Sequence, residues 1–409
     1  MSLIKFKEKI QVPSDWKFVP IGNVLLDTQY GTSNETSDSG VPIVGMKNLQ
    51  NGKVDFSELA YVALDEKEKE KLLLKSGDIL LNRTNSYELV GKTGYVEKDC
   101  DVVFASYLVR LKVDTKKSFP RFVATWLSSF WADTMIKKIA TRAVSQANVN
   151  PTEFKKYCLI PLPPLSEQRA IADLLATWDE AIEKTDRLIK AKERFYQSQI
   201  SKGLSKDIHE RIRLKKFLKE VSKRNGELSI MRVLSVTNSR GFVLPEEQFE
   251  RQVASDNLSN YKIVSSGEYA YNPSRVNVGS IARLDNWDSG VLSPMYTVFK
   301  INKPDELDSD LFLHWLNSYE AKQRIKLSAQ GSVRETVSFD DFCSIEFPKI
   351  EPTKQKKLAD YFNSIISEID QLKQLSEKYK LQKRGLMQKL LTGSWRIKPD
   401  VFKQFEVTL

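Results

Sequence analysis

The sequence predicts an α+β protein built twice on one plan, a globular module followed by a long helix. Three observations predict it. Residues 166–203 (SEQRAIADLLATWDEAIEKTDRLIKAKERFYQSQISKG) and 353–393 (TKQKKLADYFNSIISEIDQLKQLSEKYKLQKRGLMQKLLTG) share one helical pattern, with Gln168 and Gln355 187 residues apart. The segments before them match as well, in the same order. Both helical stretches are led in by prolines, PLPPL and PKIEP, and end near a glycine, the usual helix stop.

The helices come first because they carry the clearest periodicity. In the first, Ile171, Leu175, Trp178, Ile182, Thr185, Ile189, Lys192, Tyr196 and Gln199 alternate steps of four and three. In the second, Leu358, Phe362, Ile365, Ile369, Leu372, Ser376, Tyr379, Lys383, Leu386 and Leu390 do the same. This is a heptad seam, long enough for a long helix or coiled coil. At 1.5 Å per residue, ~36 residues span roughly 54 Å, and two such rods in one chain most simply pack on each other.

The first module reads as strands around one helical stretch. Residues 13–30 open it as helix or strand, and VPIVGMKNL (41–49) reads as a strand. LKSGDILLNRTNS (74–86) is a turn, a strand and a polar loop, and 90–96 and 102–113 are β-branched and aromatic strands. Residues 120–139 are helical, 141–154 a polar loop, and 156–163 a returning strand. The second copy repeats this order with an offset of 190 to 187. Asn238 falls on Asn48, Gly267 on Gly77, Asn272 on Asn82, Tyr296 on Tyr107 and Trp315 on Trp126. The repeat predicts pseudo-two-fold symmetry.

The 409 residues carry 63 basic and 53 acidic side chains, a net charge of +10, which points toward a polyanion. No apolar run approaches the ~18 residues of a membrane span, and the N-terminus lacks a signal-peptide pattern. Three cysteines without CxxC spacing fit a reducing cytoplasm. Nothing marks catalysis. There is no GxxxxGK[ST], GxGxxG or GxSxG, and the two histidines, His209 and His314, lack metal-ligand spacing, so no metal site is expected. Asn272-Pro273 runs into Ser274-Arg275, which reads as a strand end.

The matches between copies fall on frame positions, whereas the polar loops differ, as two binding modules with different targets would. Arginine can grip guanine bidentately, Asn or Gln can grip adenine, and Ser or Thr can serve either. Candidate DNA contacts in the first module are Tyr30, Thr32, Ser33, Lys47, Asn48, Arg83, Thr84, Asn85, Ser86, Arg142, Ser145, Gln146 and Asn148. In the second they are Arg224, Asn238, Arg240, Asn272, Ser274, Arg275, Asn277, Gln330, Ser332 and Arg334.

PLPPLSEQRAIADLLATWDEAIEKTDRLI (161–189) resembles the helical linker of the specificity subunits of type I restriction–modification systems. GDILLNRTNS (77–86) and ELVGKTG (88–94) resemble the core of that family's target-recognition domains, and LLTGSWR (390–396) the end of its second helix. In the second copy EPTKQ replaces PLSEQ and NPSR replaces NRTN. The resemblance implies target-recognition domains at 1–164 and 205–350, a central helix at 165–204, a second at 351–396 and a tail at 397–409. It implies that the helices pack antiparallel as a coiled coil and set the distance between two half-sites. It also implies no catalysis by this chain. Double-stranded DNA, two modification subunits and a restriction (translocase) subunit would be its partners. S-adenosylmethionine, ATP and Mg2+ would sit on those subunits, which would supply adenine methylation and cleavage. Two other readings stay open here: a recognition subunit of a related methyltransferase–nuclease system outside type I, and a coiled-coil scaffold that does not bind DNA.

Overall fold

The computed structural model describes residues 10–142, 146–205, 208–247, 257–329 and 336–397. The chain forms two compact units, Met1–Lys184 with Ser376–Leu409, and Thr185–Leu375. The long helices are Leu165–Gly203 and Pro352–Leu390, 39 residues each, so each unit holds one module and a segment of each helix.

In the first unit a six-stranded sheet runs Leu25–Tyr30, Leu108–Val113, Ile79–Asn82, Thr93–Tyr95, Gly52–Val54, Leu49–Gln50. Strand Ile79–Asn82 is buried throughout because both sheet faces are covered. Ile79 and Leu81 join one core with Phe122 and Trp126, while Leu80 and Leu108 join another with Val44 and Phe104. The stretch 120–139 is two helices, Pro120–Leu127 and Phe130–Ile139. The break comes where the Ser129 hydroxyl accepts from Ala132 N and starts the second helix. The loop predicted at 141–154 contains two short strands, Thr141–Arg142 and Ala147–Asn148, and a helix, Pro151–Tyr157, capped by Asn150. Asn48, read from the sequence as a contact residue, is buried. Its Oδ1 accepts from Gly45 N, and its amide donates to the carbonyls of Asp55 and Glu58, so it braces a turn rather than facing a ligand.

The second unit repeats the frame. Its four-stranded sheet runs Leu218–Glu220, Thr297–Ile301, Tyr269–Tyr271, Ile281–Arg283, the order of the first four strands above. Tyr269, Tyr271 and Phe299 face the helix-side core with Phe312 and Trp315, while Ala270 and Val298 face the other side. Gly77 and Gly267 both adopt positive φ, 91° and 80°, before the equivalent strands. That conformation explains why glycine stands at both places. The acid after each glycine closes the turn: Lys75 N donates to Asp78 Oδ2, and Ser265 N to Glu268 Oε2.

The repeated glutamine is a buried clamp. Gln168 Oε1 accepts from Ser118 Oγ at 2.7 Å and Phe119 N at 2.8 Å, and its Nε2 donates to Pro163 O at 2.8 Å. Gln355 Oε1 accepts from Asp308 N, and its Nε2 donates to Glu306 O and Ile350 O, each at 2.8 Å. In both units it ties the start of a module helix to the proline-led segment before the long helix.

Within each unit the two long-helix segments run antiparallel. In the first, Trp178 meets Tyr379 edge-on and Lys383 pairs with Asp179 at 2.5 Å. In the second, Lys192 pairs with Glu368, Lys373 with Glu193, and Tyr196 meets Phe362. Ile171, Leu175, Ile189, Phe362, Ile365 and Ile369 are buried; Trp178, Ile182, Leu358 and Leu372 are half-buried.

Candidate nucleic-acid interface

In the first unit three short strands order the polar loops into a small sheet, Thr141–Arg142, Ala147–Asn148, Thr84–Asn85. Asn148 is paired with Thr84 in this register, and the Thr84 hydroxyl lies 3.4 Å from Asn148 Oδ1. Backbone bonds bind this sheet to the module. Arg83 N donates to Tyr107 O, and Val149 N to Arg83 O. Residues 30, 83–87, 106–107, 141–142 and 146–149 are thereby brought together, although they are far apart in sequence.

Two arginines among them lie against tyrosines. The Arg83 guanidinium carbon is 5.1 Å from the Tyr30 ring centre, and that of Arg142 is 3.5 Å from the Tyr87 ring centre. Arg83 Nε also donates to Ser106 O at 3.3 Å. Tyr30 and Tyr107 are half exposed. Gln146 and Asn148 are exposed. Asn85 Oδ1 accepts from Ser86 N, which fixes the loop. Glu88 has its carboxyl held below the ordinary range, first by its own backbone N–H and then by the Ser86 hydroxyl. Thr32 is half-buried and its hydroxyl accepts from Asn34 N, while Ser33 and Lys47 are exposed. Ser145 lies outside the described residues.

In the second unit Asn238, Arg240 and Asn277 come together around a cavity of about 480 Å³, with Asn286 and Lys322 on its wall. The Asn277 Oδ1 is buried without a partner among the described residues. Asn272 shapes its loop by accepting from Ser274 N, and Val337 N donates to Pro273 O as Val149 N does to Arg83 O. Ser274 and Arg275 are exposed. Arg224 is exposed too, but one nitrogen is committed to Asn260 O at 2.6 Å. Gln330, Ser332 and Arg334 lie outside the described residues. Sequence reasoning missed Tyr87, Asn286 and Lys322. Tyr87 stood inside the NRTNSYELVG loop already marked as divergent, next to the polar residues selected there.

His314, whose sequence context gave it no role, is a buried joint of the second unit. Asn363 Nδ2 donates to Asp310 Oδ2, so Asn363 Oδ1 faces His314 Nε2 at 2.9 Å and must accept from it. Nδ1 is then the acceptor for the Tyr196 hydroxyl at 2.6 Å. Burial pushes the His314 pKa below its ordinary value, and the neutral ring makes both bonds.

Residues 13–193 match the family model described as "Type I restriction modification DNA specificity domain". Over 95% of both chains, the sequence is 26% identical to the putative type I restriction enzyme MjaX specificity subunit of Methanocaldococcus jannaschii. The first module and most of the first long helix are thus similar to the type I DNA specificity family. The chain is also 26% identical to the EcoKI specificity subunit of Escherichia coli K12, over 42% of this chain and 38% of that one. The fold agrees with the solved S subunit of a type I restriction–modification system from M. genitalium. That match covers 93% of this chain and 98% of the other, with a TM-score of 0.59 at 16% identity. The family match stops short of the second module, where NPSR stands in place of NRTN.

Proposed function

We propose that this chain is the sequence-specific DNA-binding subunit of a type I restriction–modification complex, reading a bipartite site with one module per half. The observation that carries this is a buried frame written twice, with different polar loops on each copy. The frame supplies equivalent supports, including Gln168 and Gln355, Gly77 and Gly267, and Asp78 and Glu268. The loops supply different donors and acceptors: stacked arginines in the first module and an amide-lined cavity in the second.

The chain's own contribution is recognition. Arginine, asparagine and threonine side chains on the loops would meet base edges, and exposed lysines would meet phosphates. Adenine methylation and DNA cleavage are assigned to partner chains, two modification subunits and a restriction subunit, which would carry S-adenosylmethionine, ATP and Mg2+. Among the described residues no helix is long and apolar enough to cross a membrane, and we place the complex in the cytoplasm.

Mapping methylated adenines in a host that expresses this chain with its modification subunit tests the reading. Two short defined blocks around an unspecified spacer are expected. A single continuous motif, or methylation without sequence preference, would refute it.

A further inference from the structure

Resting on that reading, we infer that the first module reads two guanines, one through Arg83 and one through Arg142, with Tyr30 and Tyr87 as the positioning residues that aim them. A stack on the loop surface with its fork left open sets these two arginines apart. Among the described residues of the unit, four other arginines lie on rings. Arg121, over Tyr95, and Arg169, over Phe119, stand on the helices Pro120–Leu127 and Leu165–Gly203 and not on the loops. The other two spend their nitrogens inside the protein. Arg110, over Phe104, donates to the carbonyls of Leu73 and Lys71. Arg396, over Trp16, is held by Glu167 and Asp15. Arg83 gives up only its Nε, to Ser106, and no described residue accepts a hydrogen bond from its two terminal nitrogens. Arg142 is exposed, and no described residue accepts a hydrogen bond from its guanidinium.

An arginine held face-on against a ring loses much of its rotational freedom while its edge stays open. That edge is a fork of two N–H groups, which fits the O6 and N7 acceptors of guanine in the major groove. With Nε taken, Arg83 must use its terminal pair. The same fork also fits a phosphate, and loss of N7 from a guanine separates the two, because only a base contact depends on it. In the register of the small sheet, Arg142 aligns with Ala147, and Ala147 with Asn85, two residues beyond Arg83. Two strand spacings and two residue rises separate the arginines by about 12 Å, or about three base-pair steps. Both guanines therefore fall within one half-site.

The test uses the full-length chain assembled with its modification subunit. Methylated adenines give the two blocks of the site, and the block that persists when residues 205–350 are exchanged belongs to the first module. Guanine is expected at two positions of that block, on either strand. Replacing either by 7-deazaguanine, which still pairs but lacks N7, should weaken binding about 5- to 100-fold. Arg83→Ala should abolish that discrimination at one position and Arg142→Ala at the other. Tyr87→Leu should abolish it at the Arg142 position, and Tyr87→Phe, which keeps the ring, should retain it. Should Tyr87→Leu fail to fold, Arg142→Lys takes its place, keeping the charge but losing the fork. A first-module block without guanine overturns the inference and leaves the DNA-reading function standing. So does an equal 7-deazaguanine penalty in the parent and both arginine variants. The lack of any bipartite site overturns the function itself.

Discussion

Replacing Gln168 by methionine keeps the side-chain volume and removes every hydrogen bond of the clamp. Phe119 N and Pro163 O then lose their partner, while the Ser118 hydroxyl can rotate toward another. Each orphaned buried backbone group costs about 1–3 kcal/mol, so the loss for the two should be about 2–6 kcal/mol. For a unit of this size each kcal/mol moves Tm by about 2–4 °C, which gives a drop of roughly 4–24 °C. Hydrogen exchange supplies the local readout. Protection of the Phe119 amide should fall at least about tenfold, the equivalent of ~1.4 kcal/mol, with the Asp308 amide unchanged. Gln355→Met should do the reverse, exposing Asp308 and sparing Phe119. The clamps share no partner, so their effects should add in the double variant. A melting temperature within about 2 °C of the parent, with Phe119 still protected, would show that the clamp fixes geometry without contributing stability.

Three further outcomes are expected. Arg396→Met breaks a bidentate pair with the buried Glu167, at 2.6 and 2.7 Å, and should cost about 1–3 kcal/mol in a denaturant melt, less than a fully buried pair because Arg396 is partly exposed; adding Glu167→Gln should recover part of the loss. His314 is neutral in the fold with its pKa lowered, so its stabilisation is complete above the ordinary histidine value of ~6.5 and is lost as pH falls below it; Tm between pH 7.5 and 5.5 (about the span of that titration) should fall more steeply in the parent than in His314→Gln. Exchanging residues 205–350 for the equivalent module of a relative should change one mapped half-site and leave the other, and a change in both would show that the modules do not read independently.

The repeat was legible because burial restricts what a position can hold. Gln168 and Gln355, or Trp126 and Trp315, can be matched by eye since each fills a closed site in its own unit. The long helices were legible from their seams. What the sequence obscured depends on contacts between distant segments. The strands Thr141–Arg142 and Ala147–Asn148 have almost no periodicity, being two residues each, and exist because Thr84–Asn85 offers them an edge. Asn48 had the composition of a reader, but three backbone partners turned it inward. Tyr87 was overlooked because its role lies in the ring it offers to Arg142, 55 residues away in the chain.

The same division explains how one frame can carry two different sets of loops. A buried clamp costs several kcal/mol to lose, about as much as a small domain can spare, so both copies hold its residue types fixed. A loop residue in water costs little to change, typically within about 0.5 kcal/mol. Arg83 and Pro273 sit at matching places, and each carbonyl accepts from the matching valine N–H, Val149 or Val337. The backbone bond at that position survives while the side chain changes from a stacked guanidinium to a proline ring. The loop is therefore held by its main chain, which leaves its side chains free to differ. Substitution there can alter which base is favoured without first destabilising the module, which is the condition for new specificities to arise on an unchanged fold.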